Sequence, residues 1–132
     1  MAEAYRLNQQ VMEMYGKGQY VEAIPLARKS LDLLEKAVGP NHHIVGTPLN
    51  NLAQLLQASG NYAGAQPLYE RALKLYEPFL GPTHPAIAKT FSNLANVLVA
   101  QGRYEEAEPL YERAMRIQEG APEKVNPDLV TT

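Results

Sequence analysis

The chain has 132 residues and a formal charge of −2, and its 12 lysines and arginines are scattered among 14 acidic residues, which gives one domain's worth of chain without the concentrated basic patch of a nucleic-acid surface. It has no cysteine, so disulfides and thiolate metal sites are excluded. No stretch approaches the roughly 20 apolar residues that span a bilayer, and the opening Met1-Ala2-Glu3-Ala4-Tyr5-Arg6 lacks a basic flank followed by an apolar run, so a cytoplasmic protein with neither nucleic-acid nor membrane partners is expected.

In chain order, Leu7, Val11 and Met14 have the three-and-four spacing of an amphipathic helix, which Gly18 ends. A second helix is predicted from about Tyr20 to Ala37, followed by the turn Gly39-Pro40-Asn41-His42-His43. Leu49, Leu52, Ala53 and Leu56 mark a third helix. Thr47 is its N-cap with Pro48 at the first helical position, or Pro48 kinks a helix that starts earlier. Gly60 ends it, a fourth helix runs from about Tyr62 to Phe79, and Gly81-Pro82-Thr83-His84-Pro85 makes the next turn. Phe91, Leu94, Ala95 and Leu98 mark the fifth helix, Gly102 ends it, and the sixth runs from about Tyr104 to Glu119.

The glycine-tyrosine steps at Gly18, Gly60 and Gly102 recur every 42 residues, and so do Ala23/Ala65/Ala107 and Leu26/Leu68/Leu110. A fixed period of this size marks stacked units, none of which buries its apolar face alone. Pro25, Pro67 and Pro109 recur as well, near the end of the first turn of each second helix. Interior proline costs a helix about 3 kcal/mol, so a slight bend is expected there. Asp32/Lys36, Glu70/Lys74 and Glu112/Arg116 stand one turn apart on a solvated face.

The small residues at close crossings, the tyrosine after each glycine, and blocks such as Tyr104-Glu105-Glu106-Ala107-Glu108-Pro109-Leu110-Tyr111 and Leu80-Gly81-Pro82-Thr83-His84-Pro85 resemble the tetratricopeptide repeat, in the 42-residue variety of kinesin light chains. The resemblance implies an all-α, right-handed α-solenoid of three helix-turn-helix units, about six antiparallel helices in a single array. The repeats are about 1–43, 44–85 and 86–120. Residues 121–132 are either a polar tail or the opening of a truncated fourth unit, with Asn126-Pro127-Asp128 falling over His84-Pro85-Ala86. Repeat 1 departs from the pattern, with Gln10 at the column of Leu52 and Leu94 and Val11 at that of Ala53 and Ala95.

By the same resemblance the first helices line a concave peptide-binding groove, formed by Tyr5, Asn8, Met12 and Tyr15, then Asn50, Asn51, Gln54 and Gln57, then Lys89, Ser92, Asn93, Asn96 and Val99. Amides pair with a peptide main chain irrespective of its sequence, and Tyr5, Met12 and Tyr15 accept apolar side chains. Tyr20, Tyr62, Tyr104, Tyr69 and Tyr111 are expected to pack. The carboxylate clamp of some family members is incomplete, because Asn8, Met12 and Asn93 stand where it needs lysine, asparagine and a basic residue.

No catalytic constellation is present: no Gly-x-Ser-x-Gly elbow, no phosphate-binding glycine loop and no cofactor motif. His42, His43 and His84 all fall in inter-repeat turns without further ligands, so solvation or turn packing is expected rather than metal. The sequence therefore reads as a non-enzymatic module for a protein or peptide partner. The alternative is a scaffold that self-associates through uncovered repeat ends around Tyr111, Ala114 and Met115.

Overall fold

The computed structural model describes residues 2–119; the reading of a fourth unit falls on residues outside these. Six helices form three antiparallel pairs: α1 (Ala2–Gly16) with α2 (Tyr20–Val38), α3 (Gly46–Ala58) with α4 (Tyr62–Leu80), and α5 (Pro85–Ala100) with α6 (Tyr104–Gln118). Each pair stacks on the next, and one apolar core runs from Val11 to Ala114. Ala23, Ala65 and Ala107 are buried at the crossings, where a larger side chain would hold the helices apart.

Each first helix ends in the same way. Gly18, Gly60 and Gly102 have φ of 76°, 91° and 80°. Their amides donate to the carbonyls of Tyr15, Gln57 and Val99, and the following residue reaches back to Met14, Leu56 or Leu98 at 2.7–2.9 Å. That is a Schellman motif, and it turns the chain directly into the second helix.

The inter-repeat turns contain a device that the sequence reading missed. His84 Nδ1 accepts from the Ala86 amide at 3.0 Å and His42 Nδ1 accepts from Ile44 at 3.2 Å. Both histidines are caps, satisfying amides that a helix start leaves unpaired.

Three expectations need correction. Thr47 is not the N-cap of α3: that helix begins at Gly46 after a 3-10 turn, His43–Val45, and the Thr47 hydroxyl lies 3.3 Å from that of Tyr76. The start is still late, since Pro85, which opens α5, corresponds to His43. Pro25, Pro67 and Pro109 sit at the sixth helical position, in the second turn rather than near the end of the first, and the helices continue through them. Tyr104 is 65% exposed rather than packed. Its counterpart Tyr62 lies beside Asn93, Asn96 and Ala100 of α5, and no such helix follows α6 among the described residues.

Gln10, at the column of the buried Leu52 and Leu94, is exposed on α1, and Glu3 of the same helix pairs with Arg6 and Lys29. Between the second helices, Glu35 pairs with Arg71, which also reaches the Pro40 carbonyl at 3.0 Å. One period on, Glu77 pairs with Arg113 at 3.6 Å. Of the three one-turn pairs, only Asp32–Lys36 closes among the described residues, at 3.1 Å.

Candidate functional site

The backbones of the first helices α1, α3 and α5 approach one another across repeats, whereas those of α2, α4 and α6 stand farther apart and are joined through long side chains such as Glu35–Arg71 and Glu77–Arg113. The first helices therefore line the inner side of the stack. Tyr5, Asn8, Met12 and Tyr15 form a stripe along α1 in which Tyr5 and Met12 are more than half exposed. The corresponding stripes are Asn50, Asn51, Gln54 and Gln57 on α3 and Lys89, Ser92, Asn93, Asn96 and Val99 on α5, so the predicted residues share one face.

These side chains differ in what remains free for a ligand. Asn51 donates through Nδ2 to Asn8 Oδ1, tying α3 to α1. Asn50 departs from the expectation: it turns toward α5 and donates to Thr90 Oγ1 at 3.2 Å, which itself donates to the Ala86 carbonyl at 2.8 Å. Its Oδ1 is buried with no partner. It therefore works as a bridge between repeats more than as a groove contact.

Two tyrosines orient the amides farther along. The Tyr69 hydroxyl is buried and donates to Gln57 Oε1 at 2.8 Å, and the Tyr111 hydroxyl donates to Asn96 Oδ1. Burial, with a smaller contribution from Tyr15, pushes the Tyr69 phenol well above its ordinary range, which keeps its proton in place. The Tyr69 hydroxyl, buried with one neighbour, must donate to it, so the Gln57 oxygen faces inward and its NH2 group faces the groove, whereas the Tyr111–Asn96 bond lies at the surface. Sequence reasoning took Tyr69 and Tyr111 for packing residues only. The missed signal was their 42-residue spacing behind the amide stripe.

The inner face holds two hollows at opposite ends of the first helices. At the C-terminal ends of α3 and α5, Tyr15, Gln54, Gln57, Tyr62, Asn93 and Asn96 surround an open polar hollow of about 370 Å³. At the N-terminal ends of α1 and α3, an apolar cavity of about 290 Å³ reaches Tyr5 and Asn8. Lys89 stands exposed on α5. Among the described residues no group of three histidine, aspartate or glutamate side chains could hold a metal ion, and no helix is long and apolar enough to cross a membrane.

The chain matches the tetratricopeptide repeat family over residues 1–77 and again over 45–120. The crystal structure of BtubC (BKLC) from P. vanneervenii is similar with a TM-score of 0.79 and 28% identity, covering 89% of this chain and 47% of that one. This chain thus spans about half the length of BtubC. The TPR domain of Arabidopsis FLU is similar in fold with a TM-score of 0.80 at 16% identity, covering 89% of this chain and 96% of that one. Comparison with curated protein sequences gave no match.

Proposed function

Because the chain belongs to the tetratricopeptide repeat family, a protein-interaction repeat, we propose that its inner face binds an extended peptide segment of a cytoplasmic protein partner. The observation that carries this reading is the orientation of Gln57, whose oxygen accepts from the buried Tyr69, with Asn96 accepting from Tyr111 beside it. Their NH2 groups, joined by Gln54 and Asn93 around the same hollow, offer donors to the carbonyls of a peptide main chain. The donors are held in place before the ligand arrives, so less conformational entropy is lost on binding. Lys89 adds a preference for an acidic group at one end.

Selection from a random peptide library on the parent and on a Gln54→Ala/Asn93→Ala variant tests the reading. Peptides enriched on the parent should lose at least tenfold in affinity on the variant. Equal behaviour of the two proteins, or no enrichment on the parent, overturns it.

A second reading has its own support. Tyr104 and Met115 of α6 are 65% and 53% exposed, an apolar end on which another repeat unit or a second copy could stack. Light scattering over a dilution series tests end-to-end association, and a strictly monomeric mass at high concentration removes it.

A further inference from the structure

The apolar cavity between the first and second helix pairs has a cause in the repeat itself. Its walls include Ala4 and Leu34 from the first pair and Ile44, Pro48 and Tyr76 from the second. One period after Leu34 stands Tyr76, and one period after Ala4 stands Gly46. In the second pair the Tyr76 ring lies so close over Gly46 that a Cβ there would approach it to 2.6 Å. The first pair carries leucine in place of that ring and a methyl group in place of that glycine. The volume a tyrosine ring occupies in repeat 2 is left open in repeat 1.

The chemistry of the walls restricts what fills it. No carboxylate, ammonium or guanidinium lines the cavity. The one buried hydroxyl, Ser30, already donates to the Ala4 carbonyl at 3.0 Å. A charged occupant would lose its hydration with no carboxylate, ammonium or guanidinium to compensate, and polar groups such as Asn8, His43 and Thr47 stand among mainly apolar walls. At about 290 Å³ the cavity exceeds the roughly 150 Å³ that holds a benzene ring in a hydrocarbon-lined site. Its lining includes two strongly exposed aromatic side chains, Tyr5 and Phe79, the latter stacked on the His43 ring. Tyr5 and Asn8 belong to the inner-face stripe of α1, so the cavity is continuous with the groove.

We infer that this cavity receives a single aromatic side chain of the partner, anchoring the peptide at the repeat 1–repeat 2 junction. The inference rests on the groove reading for the identity of the partner, while the choice of an aromatic ring comes from the chain's own use of Tyr76 at the equivalent place. The anchor and the polar hollow then divide the work: the cavity selects one residue, and the amides hold main chain.

The experiment uses the whole chain with isotope-labelled methyl groups, titrated with N-acetyl-tyrosinamide, N-acetyl-phenylalaninamide and, as control, N-acetyl-alaninamide. The aromatic amides should shift the Leu34, Ile44 and Leu80 methyl signals saturably at millimolar concentration, and the alanine amide should not. Ala4→Gly/Leu34→Tyr, which copies repeat 2 into repeat 1, should abolish the shifts while circular dichroism shows the fold retained; Ile44→Trp fills the cavity from the opposite wall should that variant misfold. Absence of saturable shifts on the parent, or equal shifts on a folded filled variant, overturns the inference. Peptide selection separates it from the groove reading. Enriched peptides with no aromatic preference, binding equally to parent and filled variant, leave the groove standing and remove the anchor; saturable methyl shifts without peptide enrichment do the reverse.

Discussion

Tyr69 shows how a single side chain couples stability to the groove. Its ring is fully buried and its hydroxyl orients Gln57. Tyr69→Phe removes one partly buried hydrogen bond, so urea unfolding should show a loss of about 1 kcal/mol. The same variant releases Gln57 to rotate and should weaken any peptide that uses it. The pH dependence has a definite sign. The folded phenol titrates above the unfolded one, so its contribution is intact below about pH 10, the ordinary tyrosine value, and is lost as pH rises toward the folded value. Thermal melts from neutral to strongly alkaline pH should therefore decline less steeply for Tyr69→Phe than for the parent. The inner-face amides were legible in the sequence because they recur at one helical register. Their bonding was not, since Asn51 meets a partner 43 residues away and Gln57 one 12 residues away. Only the packed stack decides which amide is tied and which is open.

At the scale of the helix, the glycines divide into two kinds. Gly60 holds φ of 91° with open space where a Cβ would go, so the cost of Gly60→Ala is a backbone cost alone, about 1–2 kcal/mol in the left-handed region. Chemical denaturation of that variant checks the figure, and an unchanged midpoint would show that the Schellman turn contributes little. Gly46 has ordinary helical geometry and is held small by the Tyr76 ring instead. Helix boundaries were readable to within a residue or two wherever a positive-φ glycine ends the first helix. They were less readable at the start of α3, because Gly46-Thr47-Pro48 offers a cap and a proline in the customary order. The packing of Tyr76 over Gly46 and the His42 cap on a 3-10 turn start the helix one residue before Thr47. The second helices start at the tyrosines the sequence marks, and burial of Ala23, Ala65 and Ala107 helps carry each helix on past its proline.

For the molecule as a whole, the two ends differ. The α1 end presents Gln10 and the Glu3–Arg6–Lys29 cluster, which suit water. The α6 end presents Tyr104 and Met115. If the second end mediates association, Tyr104→Ser/Met115→Ser should leave secondary structure unchanged and shift any concentration-dependent mass toward the monomer by tenfold or more in protein concentration, as read by light scattering. The period itself was the clearest signal in the chain, and it sufficed for the solenoid. The cavity was invisible to it, because the open volume arises where the first two copies differ within the pattern, Leu34 against Tyr76 and Ala4 against Gly46.

Every helix pair touches only its immediate neighbours, and that has a kinetic meaning. Contacts separated by little more than one period need only short loops to close, so the relative contact order is low and the chain should fold by zipping outward from whichever pair forms first, on the fast side of single-domain proteins. A ribosome emitting such a chain would see each unit settle onto the last as it emerges.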